Sequence, residues 1–308
     1  MISIVCPFYN EQELIGEFFG RLISVLNATG DEFEIICVND GSRDNTLTGL
    51  LAAQSRYPGV RVVDLSRNFG KEAALTAGLD IARGDAVIPI DSDLQDPPEL
   101  IPQMLERWRE GFEVVLAQRV DRSTDSWVKS FTAGWFYRIH NRLANIQLPQ
   151  NVGDFRLLDR CVVEAIRHLP ERQRFMKGIF AWVGFNTAAV EYVREARSGG
   201  ASKFGGWRLW NLALEGMTSF STMPLRVWTY IGLVVAGASL GYGAFIVVRT
   251  LIHGVDMPGY ASLFVAVTFL GGLQLIGLGI IGEYLGRTYT EAKQRPVYIV
   301  RKIHERRS

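Results

Sequence analysis

Up to Gln118 the chain alternates short apolar, β-branched runs with longer segments of helical periodicity. Residues 2–6, 34–39, 60–65, 86–90 and 114–117 have the length and composition of buried strands. Between them, residues 11–26, 46–56, 71–82 and 98–109 carry apolar positions three and four apart, which predicts helices. This alternation predicts an α/β domain, a largely parallel sheet covered by helices. Right-handed crossovers would then bring the C-terminal ends of the strands to one edge, where open α/β sheets bind ligands. Three polar segments fall on that edge: Pro7-Phe8-Tyr9-Asn10-Glu11, Asn39-Asp40-Gly41-Ser42-Arg43-Asp44 and Asp91-Ser92-Asp93. No G-x-G-x-x-G follows the first strand, which disfavours a dinucleotide site of the NAD type.

Further along, the pattern changes twice. Trp127, Phe131, Trp135, Ile139 and Leu143 recur every fourth residue, with Lys129, Arg138 and Arg142 on other faces. Trp207, Trp210, Leu214 and Met217 form a similar stripe. Both read as amphipathic helices, over 127–143 and 207–224, of the kind that lies at a headgroup boundary, although an aromatic stripe also suits a protein core. Then Val227 to Val248 and Met257 to Gly282 contain no Asp, Glu, Lys or Arg. Each run is long enough to cross a bilayer, so two transmembrane helices are expected over 225–252 and 257–282. The expected organisation is a catalytic domain over 1–206, an interfacial helix over 207–224, the hairpin, and a basic tail over 283–308. Arg226 and tail residues such as Arg287, Lys293, Arg295, Arg301 and Lys302 flank the hairpin on its outer sides. By the positive-inside rule the domain and both termini face the cytoplasm.

Composition narrows the function classes. With 48% hydrophobic residues in 308 the chain can bury a core, and a net charge of +1 gives no sign of a nucleic-acid partner. Cys6, Cys37 and Cys161 are too few and scattered for a disulfide framework or metal cluster, and read as buried, reduced thiols. The N-terminus opens directly on a strand-like run, without a signal-peptide pattern.

The candidate chemistry centres on Asp91-Ser92-Asp93. Two carboxylates one residue apart at a strand end offer hard oxygen ligands for Mg²⁺ or Mn²⁺ holding a diphosphate, and Gln95 can supply a third oxygen. An isolated Asp-x-Asp is often a solvated turn; the apolar strand before it and Pro97-Pro98 after it, which open a helix, raise its value. A second cluster, Arg197-Ser198-Gly199-Gly200-Ala201-Ser202-Lys203, sets two cations and the Ser202 hydroxyl around a flexible loop suited to phosphate.

Taken in order, several segments carry a family resemblance: Pro7 to Glu11, Asn39 to Asp44, Arg67-Asn68-Phe69-Gly70-Lys71, Asp91 to Glu99, Val152-Gly153-Asp154-Phe155-Arg156, Arg197 to Lys203 and the two-span tail. The chain resembles inverting polyprenyl-phosphate glycosyltransferases of the GT-A (Rossmann-like) fold, closest to bactoprenol (undecaprenyl phosphate) glucosyltransferases and related to dolichyl-phosphate mannose synthases. The resemblance implies that Pro7, Tyr9, Glu11 and Asp40 bind the nucleoside, with Lys71 and Asp91 on the ribose and donor phosphates. Asp91, Asp93 and Gln95 would hold the metal. Asp154 occupies a position sometimes considered a catalytic carboxylate. Arg119, Arg197 and Lys203 match phosphate-binding cations, and Lys129 or Arg138 would replace one that has no clear counterpart.

The implied reaction transfers a hexose, glucose from UDP-glucose before others, to undecaprenyl phosphate at the bacterial inner membrane, for modification of an envelope glycan such as O-antigen. A processive polysaccharide synthase is the competing enzyme class. Arg172-Gln173-Arg174-Phe175 only loosely echoes the Gln-x-x-Arg-Trp segment such an enzyme needs. A binding scaffold retaining a dead nucleotide fold is disfavoured by the intact Asp91, Asp93 and Gln95. Self-association, through glycine-containing helix faces and a strand at 296–300 able to pair with a neighbour, is a further expectation.

Overall fold

The computed structural model describes residues 1–120, 152–172, 174–193, 223–254 and 259–305. The two expected amphipathic helices, 127–143 and 207–224, lie outside these residues. The described chain runs β1 (Ile2–Phe8), α1 (Ile15–Thr29), β2 (Phe33–Asn39), α2 (Thr46–Arg56), β3 (Val60–Leu65), α3 (Lys71–Ile81), β4 (Ala86–Pro89), a 3₁₀ turn (Pro98–Leu100), α4 (Ile101–Arg109), β5 (Val114–Arg119), β6 (Val152–Asp159), α5 (Arg160–Arg167), α6 (Met176–Trp182), β7 (Thr187–Tyr192), α7 (Met223–His253), α8 (Tyr260–Ala292) and β8 (Val300–His304).

One eight-stranded sheet has the order β7-β5-β6-β4-β1-β2-β3-β8. Its centre, β4-β1-β2-β3, is parallel, as the βαβ alternation predicts. Alternate residues of β1 feed opposite sides. Ile2, Ile4, Cys6 and Phe8 enter a core with α1, α2 and α4, while Val5 enters a second core with α3, α5 and α6. Helix α1 shows why the period matters, because Phe18, Phe19, Leu22 and Leu26 form one buried stripe and Phe18 meets Phe8 edge-on at 5.5 Å. Truncating such a phenylalanine costs about 3–5 kcal/mol. Helix α3 approaches the sheet through Gly78, where a Cβ would collide with Val5.

Several details depart from the sequence pattern. Helix α1 starts at Ile15 rather than at 11, because residues 11–14 form a turn closed by Leu14 N–H on Glu11 C=O. Cys6 and Cys37 are buried as expected, but Cys161 is exposed at the start of α5. The C-terminal strand begins at Val300 and pairs antiparallel with β3 of the same chain. One side of the tail strand is thus paired within the chain, and β8 itself forms the outer edge of the sheet.

Helices α7 and α8 contain candidate membrane spans, Val227–His253 and Phe269–Ala292, and their apolar side chains are exposed. Helix α8 extends ten residues past the expected end at 282, and within this extension Glu283 and Arg287 pair one turn apart, a contact that favours helix. The two helices touch where Trp228 lies on Gly277, a position with no room for a Cβ.

Candidate active site

The parallel strands deliver three loops to one edge, and these loops are stitched to one another. Asn10 N–H donates to Ser42 Oγ at 3.1 Å, Arg43 N–H to Asn10 Oδ1 at 2.8 Å and Glu11 N–H to Thr46 Oγ1 at 2.9 Å. Asn10 takes a left-handed backbone (φ 55°), tolerable for Asn because its short side chain bonds locally. Gly41 is required twice over: its φ is 63°, and a Cβ would overlap the backbone of Arg67 and Asn68. Two loops therefore pass at backbone contact, and Asp40 fastens them. Its carboxylate accepts Phe69 N–H at 2.7 Å and Gly70 N–H at 2.9 Å. Burial raises the Asp40 pKa, more than these donors and Arg67 lower it.

Strand β6 brings in the remaining carboxylate. It runs antiparallel to β4 with Ala86 opposite Asp159 and Val87 opposite Leu158, so the same register continued to the strand ends sets Asp154 opposite Asp91. Lys71, the first residue of α3, stands between them, its Nζ 2.8 Å from Asp91 Oδ2 and 2.5 Å from Asp154 Oδ2. One ammonium thus holds two carboxylates. Burial opposes the Lys71 charge, but Asp91 and Asp154 outweigh it and raise its pKa well above the usual value. The carboxylates diverge. Burial, with repulsion from Asp154 and Asp96, raises Asp91, whereas Asp154 resists its own burial and is held down to about 2 by Lys71, then Lys177.

Of the neighbours of this pair, Arg156 belongs to the segment that carries the family resemblance, whereas Glu72 and Lys177 were not identified from sequence. Glu72 accepts Met176 N–H at 3.1 Å, and burial followed by repulsion from Asp154 pushes its pKa to about 7. Arg156, 3% exposed, stacks over Phe180 at 4.2 Å and donates to Gly153 C=O at 2.6 Å. Burial lowers its pKa to about 10. Lys177 on α6 acts on both Asp154 and Glu72. For Glu72 and Lys177 the sequence hints were the adjacency of Glu72 to Lys71 and the basic run before Lys177.

Asp93 Oδ1 accepts Gln95 N–H at 3.1 Å, and between them Leu94 is forced to φ 57°, a strained conformation for a buried leucine. Pro7, Tyr9 and Glu11 line the same edge, Tyr9 with 41% of its surface exposed. Arg119 ends β5 beside Tyr192, whose hydroxyl donates to Asp96 Oδ1 at 2.7 Å; burial, then Asp96, raises the tyrosine pKa. The buried Arg119 Nε has no hydrogen-bond partner among the described residues. Lys129, Arg138, Arg197, Ser202 and Lys203 lie outside the described residues.

A divalent cation fits this chemistry. Among the described residues no three His, Cys, Asp or Glu side chains group around a point; the residues that would hold the cation are Asp91, Asp93 and the Gln95 amide, on the loop after β4. These are hard oxygen donors, carboxylates exceed cations around them, and the buried Asp154 Oδ1 has no hydrogen-bond partner among the described residues.

Residues 3–167, from β1 through α5 and including Lys71, Asp91 and Asp154, match glycosyl transferase family 2. The chain belongs to that family. Residues 223–288, the two long helices, match the GtrB C-terminal hairpin. Among similar family members is a prophage-derived bactoprenol glucosyl transferase of Shigella flexneri, 55% identical over 98% of each chain. A prophage bactoprenol glucosyl transferase homolog of Escherichia coli is 54% identical over 98% of this chain and 99% of that one. Among solved structures, mannosyl-3-phosphoglycerate synthase from Rubrobacter xylanophilus superposes with a TM-score of 0.50 at 20% identity, covering 70% of this chain and 71% of that one, a likeness of GT-A fold.

Proposed function

We propose that this family 2 glycosyltransferase moves glucose from UDP-glucose to undecaprenyl phosphate on the cytoplasmic face of the bacterial inner membrane, with inversion at the anomeric carbon. The observation that carries this reading is the Asp91–Lys71–Asp154 cluster, built at the ligand edge of a domain whose chain continues into two lipid-compatible helices. Likeness over nearly the whole chain to bactoprenol glucosyl transferases supports the sugar and the acceptor.

Pro7, Tyr9 and Glu11 line the nucleoside pocket. Asp40 holds the loop beneath it and keeps a free lone pair on each oxygen for a base N–H. Asp91, Asp93 and Gln95 would hold Mg²⁺ or Mn²⁺, which when bound neutralises charge developing on the departing diphosphate. Lys71 supplies a fixed positive charge at the same place. An acceptor phosphate oxygen forms the new bond to the anomeric carbon as the bond to UDP breaks. Because a phosphate monoester has a second pKa near ~6, the acceptor needs no strong base. Asp154, ionised at all ordinary pH, positions Lys71 and the sugar instead of taking a proton. Arg119, with Lys129 or Arg138, Arg197, Ser202 and Lys203, would bind the acceptor phosphate.

The deciding experiment incubates the full chain with radiolabelled UDP-glucose, undecaprenyl phosphate and Mg²⁺ or Mn²⁺, with other nucleotide sugars in parallel, and measures label extracted into organic solvent. Lipid-linked glucose is expected. Label from another sugar alone overturns glucose as the donor, and no lipid-linked sugar from any donor overturns the reaction.

A further inference from the structure

The chain beyond the second apolar helix returns to the ligand edge and joins its hydrogen bonds. Strand β8 covers β3, and just before it Ile299 C=O accepts Ser66 N–H at 2.9 Å. Arg301 donates from Nη2 to Ser66 C=O at 2.6 Å and from Nη1 to Asp64 Oδ2 at 3.3 Å. Ser66 opens the loop that ends at Lys71. Asp64, a carboxylate only 4% exposed, accepts Asn39 Nδ2 at 2.7 Å through its other oxygen. Asn39 Oδ1 in turn accepts Ser42 N–H at 3.3 Å. A single guanidinium therefore reaches two edge loops, directly at Ser66 and through Asp64 and Asn39 at residues 40–42. Asp40 ties those same two loops together from the far side.

We propose that Arg301, with the tail strand that presents it, is a positioning residue for the donor site, holding the 66–71 and 39–42 loops in register so that Lys71 meets its carboxylates. The membrane hairpin is thus an insertion between two parts of one catalytic unit. The tail completes the donor edge instead of serving only as a soluble basic extension. This inference rests on the reading of that edge as the nucleotide-sugar site.

The test uses the full chain in detergent with Arg301→Met, Arg301→Lys and, as a control on an exposed position of the same strand, Lys302→Ala. Hydrogen exchange is followed over peptides spanning 39–44 and 64–71, and initial rates are measured against UDP-glucose concentration. Arg301→Met should speed exchange in both peptides and raise KM about tenfold with a smaller change in kcat, the loss expected for a partly exposed charged hydrogen bond. Arg301→Lys should recover part of both effects, and Lys302→Ala should leave both at wild-type values. Asp64→Asn keeps the Asn39 contact but removes the charge Arg301 meets, so adding Arg301→Met to it should change KM little further. Unchanged exchange, unchanged KM despite faster exchange, or fully additive variants would each overturn the proposal. If the wild type transfers no sugar, the donor-site reading has failed, while exchange in the two peptides still decides whether Arg301 holds the loops.

Discussion

The ligand edge and the hairpin break the ordinary partition of residues in opposite directions. At the edge, polar groups are taken out of water: Asp40, Asp64, Asp96 and Arg156 are each no more than 6% exposed. In the hairpin, Leu233, Val234, Leu240 and Leu251 are each at least 70% exposed. Buried charges persist only where partners satisfy them, as the Phe69 and Gly70 N–H groups do for Asp40, and Asn39 and Arg301 do for Asp64. Exposed leucines persist at this density only where the solvent is itself apolar. The edge is thus specified by pairing and the hairpin by its surroundings, so a change to one should leave the other intact.

The largest separation is expected from Asp91→Asn. Removing this charge leaves Lys71 in an ion pair only with Asp154 and takes away one of the anionic oxygens that would hold the divalent cation. Turnover should fall more than about 10³-fold, at the upper end of losses for a preorganised electrostatic group. Membrane extraction behaviour should match the wild type. Residual activity above a tenth of wild type would show that Asp91 is not at the reacting centre.

The converse change is Leu240→Asp on the exposed face of α7. An aspartate at the centre of a spanning helix costs about 2.5–3.5 kcal/mol, a factor of roughly 100 in the insertion equilibrium. The fraction of chain resistant to alkaline extraction should drop, while turnover per inserted molecule stays near wild type. Undiminished extraction resistance would mean that Leu240 does not face lipid, and the contrast between the two regions would fail there.

Sequence patterns were most legible where a signal is local. The strand runs, Asp91-Ser92-Asp93 on its strand end and the two uncharged stretches each occupy one window, and the strands and the first long helix formed close to their expected bounds, while the second long helix overran its end. Non-local pairing was hidden. Nothing near Asp154 indicates that β6 runs antiparallel beside β4, yet that register places Asp154 opposite Asp91. Likewise the tail residues have strand character, but a five-residue strand carries no mark of its partner, and one side of it pairs with β3 of the same chain. Glu72 looked like an ordinary first-turn helix carboxylate; its burial arises only when α6 docks and Met176 N–H reaches it.

Glu72 also gives the finest test of how the edge tolerates its charges. It faces Asp154 from β6 and Lys177 from α6, and neighbours Lys71 on its own helix. Burial and Asp154 raise its pKa from 4.5 to about 7, so between these values the folded chain binds a proton that the unfolded chain has released. Stability contributed by that bound proton is fully present below pH 4.5 and is lost as pH rises through 7. At about 1.36 kcal/mol per unit the loss is at most about 3.4 kcal/mol, and partial exposure should reduce it to about 1–2 kcal/mol. Glu72→Gln mimics the protonated form and can still accept Met176 N–H. Its stability relative to wild type, read from thermal unfolding, should therefore be near zero at pH 4 and rise by that amount at pH 8. A difference that stays flat across this range would mean that Glu72 is ionised throughout, and that Lys71, Lys177 and Arg156 neutralise a third carboxylate at this edge rather than two.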